Sequence, residues 1–255
     1  MLWLCEDPHL LGEPFYVMEH VSGLVPPDRP AYHKAGWFFE ASSSEQAEIW
    51  CNGIRAMARI HETDIEHFDY LNPTRKLSVA QARLETWTIF HNALGDDMHP
   101  ALDAALQELR RNAPDHLPEK DAWFLHWGDA KPGNMIFERG DVQAVLDWEL
   151  CGLSAREEDL AHWLAVDWFL SSGIGVPRIK NLPGKTESIA MYQDVVKDEL
   201  HDMNWWFNFA LVRMGCIFQR AAIQARKEQG EALRKNTIIP HLDRILSDAT
   251  WSEYA

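Results

Sequence analysis

Apolar positions along the chain change their period twice. Residues 1–5 and 14–21 are both apolar and are separated by the polar, glycine-containing stretch EDPHLLGE, which predicts a β-hairpin. Residues 22–43, rich in Pro, Gly and Ser, predict a connector with one short helix. From 44 to 61 the spacing becomes helical through Ile49, Ile54, Met57 and Ile60, with Ser44 as the expected N-cap. Residues 77–94 and 99–112 predict two more helices, the second opened by His99-Pro100.

The period then shortens. Residues 122–127, 134–138 and 142–147 predict short strands, with Arg139-Gly140-Asp141 as the turn between the last two. Helix returns at 155–171. A loop from Gly173 to Gly184, broken by Pro177 and Pro183, leads to helices at about 186–200, 204–229 and 238–250. There is no internal repeat. The pattern predicts an α+β chain: a hairpin, a helical body and a small strand insert.

Composition narrows the function classes. A chain of 255 residues is long enough for a sizeable core, and its 12 tryptophans suit helix–helix contacts. The net charge of -15 argues against a broad nucleic-acid surface. The four cysteines, Cys5, Cys51, Cys151 and Cys216, are far apart and form no CxxC pair, so neither a disulfide framework nor a zinc site is expected. A reducing, cytoplasmic location fits that usage. No stretch approaches the ~20 apolar residues of a membrane helix, and the N-terminus lacks the basic region of a signal peptide.

The chemistry is concentrated in FLHWGDAKPGNMIFERGDVQAVLDWE, residues 124 to 149. Asp129 is followed five residues later by Asn134, and a hydrophobic run then leads to Asp147. Phosphoryl transfer asks a protein to position an acceptor hydroxyl, hold magnesium and neutralise charge. Asp129, placed after a strand, suits the first task. Asn134 can turn back towards a metal because Pro132-Gly133 allows a tight backbone turn, and its amide oxygen is a hard neutral ligand. Asp147, at the end of the next strand, would bridge metal and phosphates. Lys131 would reach the transferring phosphate. Taken singly, these are also ordinary turn and surface residues; their joint order is what carries the reading.

That order resembles the aminoglycoside phosphotransferase/choline kinase-like family. Its signature is His-Gly-Asp-x4-Asn followed by Asp-Trp-Glu; here the chain reads Trp127-Gly128-Asp129, Asn134 and Asp147-Trp148-Glu149. Phe15 to Gly23 resembles the family's hinge strand, Ile60-His61-Glu62-Thr63-Asp64 its Leu-His-x-x-Asp helix end, and Glu158-Asp159-Leu160-Ala161 the segment after the metal loop. The likeness is greatest to the bacterial branch related to the kinase-like domain fused to some acyl-CoA dehydrogenases.

The resemblance implies a protein-kinase-like α+β fold, with residues 1–22 a remnant of the small lobe in an N-terminally truncated chain and 23–255 the helical lobe. It implies an ATP- and Mg2+-dependent O-phosphotransferase acting on a small-molecule hydroxyl acceptor. Asp129 and Lys131 would be catalytic, and Asn134 and Asp147 would hold the metal. Glu19, His20 and Val21 would meet the nucleotide. Glu149, Asp159 and Trp127 would touch substrate or support the loop, Asp159 through backbone hydrogen bonds. Trp127 departs from the family's histidine, and His126, one place earlier on a strand, should face the other way. No lysine precedes the hinge: the first is Lys34. The contrasting expectation is a non-catalytic interaction module whose exposed hairpin, with Trp3, Phe15 and Val17, invites a homodimer.

Two decoys are set aside. Gly184-Lys185-Thr186 mimics the end of a P-loop, but Ile179 stands where that motif needs glycine. His61-Glu62 mimics the start of HExxH, but Ile65 stands at the second histidine, and a supporting role behind the metal loop suits His61 better.

Overall fold

The computed structural model describes residues 2–71, 77–114, 123–229 and 235–254. Strands β1 (Trp3–Cys5) and β2 (Phe15–Val17) pair antiparallel as the expected hairpin, with Cys5 opposite Phe15. After the short helix α1 (Trp37–Glu40) comes α2 (Ser43–His61), whose N-cap is Ser42 rather than Ser44. The reason is Glu45, which stands three residues after Ser42. Ser42 N–H donates to Glu45 Oε2 (2.9 Å) while Glu45 N–H donates to Ser42 Oγ (3.3 Å), a reciprocal cap unavailable to Ser44. Helices α3 (Val79–Asn92) and α4 (Pro100–Arg111) follow, with Pro100 in the first turn of α4 as expected.

The insert consists of β3 (Phe124–His126), β4 (Met135–Glu138), β5 (Asp141–Val145) and β6 (Gly152–Ser154). Residue 122, the start of the expected strand 122–127, lies outside the described residues. Two corrections concern β5. The turn is two residues long, Arg139 (φ 51°) and Gly140 (φ 88°), and Asp141 already pairs with Glu138. The strand also stops at Val145, because Leu146 N–H turns to the carbonyl of Asn134 (2.8 Å) and Asp147 adopts φ 61°. The sequence pattern did not reveal β6. It is three residues long and exists as the antiparallel partner of β3, with Leu125 opposite Leu153. The connector is fastened to the insert through a two-way backbone bridge, Leu24 N to Phe137 O (2.8 Å) and Phe137 N to Leu24 O (2.9 Å).

Helices α5 (Arg156–Leu170), α6 (Lys185–Val196) and α7 (Met203–Gln229) form the body. Among the described elements, α5 and α7 make the most extensive helix–helix contact. Helix α5 is buried on nearly every side from Glu158 to Trp168, so its polar residues must be paired internally. The helix expected over 238–250 is broken instead into a turn of 3-10 helix (Ile239–His241), α8 (Leu242–Leu246) and α9 (Ala249–Glu253), interrupted at Asp248 with φ 57°. Trp163, Trp168, Trp205 and Trp206 are all core residues. Gly184 caps α6, and Lys185 Nζ turns to the carbonyl of Trp251, so the P-loop mimic is a helix start.

One buried carboxylate ties the ends of this body together. Asp167 on α5 accepts from Tyr32 Oη (2.9 Å), His33 Nε2 (2.9 Å), Arg178 Nε (2.6 Å) and Tyr254 Oη (2.6 Å). Ile179 N–H donates to His33 Nδ1 (3.1 Å), which leaves Nε2 as the proton-bearing nitrogen. Burial raises the Asp167 pKa, but the His33 hydrogen bond and the Arg178 charge outweigh it and hold the carboxyl well below its usual range.

Candidate active site

The site begins where β3 ends. Gly128 takes φ 99°, and a Cβ there would collide with the backbone carbonyl of Leu150, so only glycine fits. Asp159, near the start of α5, accepts from Trp127 N (2.6 Å) and Gly128 N (2.9 Å), and Arg213 Nη2 on α7 donates to Gly128 O (2.5 Å). These three bonds fix the backbone that carries Asp129. The expected backbone bonds of Asp159 are therefore present. Trp127 is fully buried and packs behind the loop. Its Nε1 donates to Leu146 O (2.8 Å), tying the loop to the residue before Asp147.

Asp129 is surrounded by donors. Oδ1 receives His162 Nε2 (2.9 Å); Oδ2 receives Asn134 Nδ2 (2.7 Å) and lies 3.1 Å from Lys131 Nζ. Burial alone would raise the Asp129 pKa, but the His162 hydrogen bond and Lys131 overcome it, leaving the carboxyl far below its usual range. Lys131 also reaches Asp28 Oδ2 (3.0 Å). Burial would lower its pKa, yet the paired charges of Asp129 and Asp28 raise it, so the ammonium is retained.

Asn134 closes a 3-10 turn, Pro132–Asn134, and its amide nitrogen is committed to Asp129 through both Oδ2 and the backbone carbonyl (3.0 Å). That commitment orients Asn134 and leaves its amide oxygen as the group with ligand character. Gly133 sits close against Asp28, whose Oδ1 would lie 2.7 Å from a Cβ there. Asp147 is exposed in the left-handed region just beyond β5, immediately after the Leu146–Asn134 bond. Glu149 is exposed and lines the same cleft as Asp129 and Lys131. Among the described residues, no cluster of three or more His, Cys, Asp or Glu could hold a metal by itself. One carboxylate and one amide oxygen are instead the few hard donors that suit Mg2+, which keeps water and phosphate ligands.

Glu19, His20 and Val21 follow β2 as irregular chain, Glu19 and His20 exposed and Val21 half-buried. Their backbone groups make no backbone hydrogen bond to another described residue. Leu24, three residues on, anchors this stretch to β4.

A buried polar layer backs the loop. His61 Nε2 meets Asp159 Oδ2 (2.9 Å), and its Nδ1 meets Tyr192 Oη, consistent with a supporting histidine. His126 faces inward, 3.3 Å from both Glu158 Oε1 and Asp159 Oδ1. Glu158 is fully buried between Arg83 (Nε to Oε2, 2.7 Å) and Arg213 (Nη1 to Oε1, 2.8 Å). In front of the loop lies a cleft of about 740 Å3 with Asp129, Lys131, His162 and Glu149 on its polar side. Phe90, Phe169 and Phe218 also line it, with Asp28, Arg29 and Arg220.

Sequence reasoning did not identify His162, Asp28 or Arg213. His162 had a usable signal: it lies one helical turn beyond Asp159 on the same face. Arg213 stands alone within the apolar run ALVRMGC, where a charge must find a buried partner. Asp28 gave no signal, because its contact with Lys131 depends on the connector's path.

A family model described as a phosphotransferase enzyme family matches residues 1–177. Acyl-CoA dehydrogenase family member 11 of Mus musculus is 28% identical over 94% of this chain and 31% of its own length. Acyl-CoA dehydrogenase family member 10 of the same species is 26% identical over 91% of this chain and 21% of its own length. The chain therefore spans about a third or less of the curated relatives it matches. Among solved structures, an aminoglycoside phosphotransferase-like protein from Ralstonia eutropha superposes with a TM-score of 0.71 at 24% identity, over 98% of this chain and 75% of that one. Plasmodium vivax ethanolamine kinase superposes with a TM-score of 0.53 at 12% identity, over 91% and 63% of the two chains. The fold is the protein-kinase-like one, as expected.

Proposed function

We propose that this chain, which belongs to the phosphotransferase enzyme family, transfers a phosphoryl group from a nucleoside triphosphate to the hydroxyl of a small molecule. The observation that carries the reading is the convergence of Asn134, Lys131 and His162 on Asp129 at the floor of the cleft. In this reading Asp129 aligns the acceptor hydroxyl and takes its proton as the new bond forms. Its depressed pKa makes it an orienting carboxylate first and a proton acceptor late, as suits a loose transition state. Lys131, held 3.1 Å from Asp129, offsets charge on the transferring group. Asn134 and Asp147 would hold Mg2+, which when bound neutralises phosphate charge and orients the phosphates. The free backbone of Glu19, His20 and Val21 would receive the base of ATP. Glu149, at the mouth of the cleft, would contact metal or acceptor.

The cleft limits the acceptor. Its aromatic lining suits a hydroxyl compound with an apolar body, and Arg29, Arg220, Asp28 and Glu149 beside it suit polar substituents of either charge. A panel of hydroxyl acceptors, scored for ADP release in wild type and Asp129→Ala, tests the assignment; equal turnover in both refutes it.

One observation favours a second reading. The hairpin exposes Leu4 and Tyr16 on one face and Trp3 and Val17 on the other, apolar surface of the kind that marks an interaction site. In that reading the chain is a non-catalytic module that dimerises through the hairpin. Calorimetric titration with Mg-ATP and sedimentation of the free chain separate the two: nucleotide binding supports the phosphotransferase, while a dimer with no binding supports the module.

A further inference from the structure

We infer that His162 is the positioning residue of Asp129: a neutral imidazole, protonated at Nε2, that anchors Oδ1 and leaves the Oδ2 edge for Asn134, Lys131 and the acceptor. The catalytic sense of this inference rests on the phosphotransferase reading; the tautomer and the contact do not.

The geometry assigns the role. His162 is buried on α5, one turn beyond Asp159, so a single helix end fixes both the loop backbone and the carboxylate. Its Nε2 lies 2.9 Å from Asp129 Oδ1. An ionised carboxylate only accepts, so Nε2 must carry the proton. The other nitrogen, Nδ1, is buried with no hydrogen-bond partner among the described residues. A second proton there would have no acceptor. The charged groups facing the ring are Asp129 and Lys131 from the loop and Arg213 from α7. Burial, followed by Arg213, pushes the imidazole down to about 4 despite the pull of Asp129.

His162 therefore does not serve as a relay. The proton leaving the acceptor hydroxyl passes to Asp129 as the new O–P bond forms and the bond to the nucleoside diphosphate breaks. It then departs through the open side of the cleft, since Nε2 is already protonated and Nδ1 has no partner among the described residues to receive it. The arrangement differs from a histidine base oriented by an aspartate, because here the histidine orients and the aspartate reacts.

Two measurements test the inference. The first compares steady-state kinetics of His162→Gln and His162→Ala with wild type, after circular dichroism has confirmed folding. Glutamine places a neutral N–H donor at similar reach. His162→Gln is expected to stay within a few fold of wild type, and His162→Ala to lose roughly 10- to 100-fold in kcat with KM for ATP unchanged. Wild-type kcat in His162→Ala overturns the inference, as does His162→Gln failing as badly as His162→Ala.

The second is nitrogen-15 NMR of the wild-type His162 ring between pH 5 and 8. It reads the contact whether or not turnover is seen, so an inactive wild type refutes the phosphotransferase reading without touching this one. The expected signal is a neutral ring protonated at Nε2, shifted in Asp129→Asn. An imidazolium, an Nδ1-protonated ring or no response to Asp129→Asn refutes it.

Discussion

Asp159→Ala probes the link between the buried layer and the reactive loop. The carboxylate holds two backbone N–H groups, Trp127 (2.6 Å) and Gly128 (2.9 Å), and the imidazole of His61 (2.9 Å), in a fully buried site. Removing it leaves those two backbone donors without a partner, each costing ~1–3 kcal/mol, and breaks the bond to His61. The loss should be on the order of 4 kcal/mol, a large fraction of a typical domain stability of roughly 5–15 kcal/mol. Asp159→Asn is expected to be nearly as severe, because its one remaining acceptor oxygen cannot serve both edges and its new N–H2 group would face an N–H. Urea unfolding followed by the fluorescence of the chain's 12 tryptophans measures the loss. Turnover should fall further than the loss of folded protein explains, since Gly128 immediately precedes Asp129. A change below about 1 kcal/mol with normal turnover would refute the claim that this carboxylate shapes the loop.

Three further outcomes follow. The His162 pKa is pushed down to about 4 in the folded state against ~6.5 in the unfolded chain, so the unfolded state binds the extra proton. The contribution is intact above pH ~6.5 and is lost as pH falls towards 4, by on the order of 3 kcal/mol relative to His162→Gln in urea midpoints; parallel pH curves would contradict it. Gly128→Ala combines a φ of 99° with a collision on Leu150 O, and calorimetry should show a loss of about 3 kcal/mol or more. Asp147→Asn, at an exposed position, should leave the melting temperature nearly unchanged while raising the Mg2+ concentration needed for turnover; a large melting shift would make Asp147 structural.

The candidate catalytic loop was legible in the sequence because its residues are local. Asp129, Asn134 and Asp147 lie on one short strand–turn–strand segment whose apolar periods and Pro-Gly punctuation are visible in the chain itself. The α+β class was legible for the same reason: β4 and β5 announce their turn, and α2, α4 and α7 announce their length. The groups that make the loop rigid come from afar. His162, Arg213 and Asp28 reach Asp129 or its neighbours through tertiary packing, and helix α5, buried on nearly every side, shows no amphipathic stripe, so only the spacing from Asp159 pointed to His162. Strand β6 was invisible because Gly152-Leu153-Ser154 forms no apolar run, and Ser42 displaced Ser44 because capping depends on the spacing to Glu45.

The central claim is that Asp129 serves phosphoryl transfer. Its most direct test is phosphorus-31 NMR of the chain with Mg-ATP and a panel of hydroxyl acceptors, in wild type and Asp129→Ala. Wild type is expected to give a new phosphate-ester resonance and matching ADP, and Asp129→Ala a rate lower by about 100-fold or more. Equal ester formation by the two proteins, or none by a wild type shown to bind Mg-ATP and a cleft-filling acceptor, would contradict it.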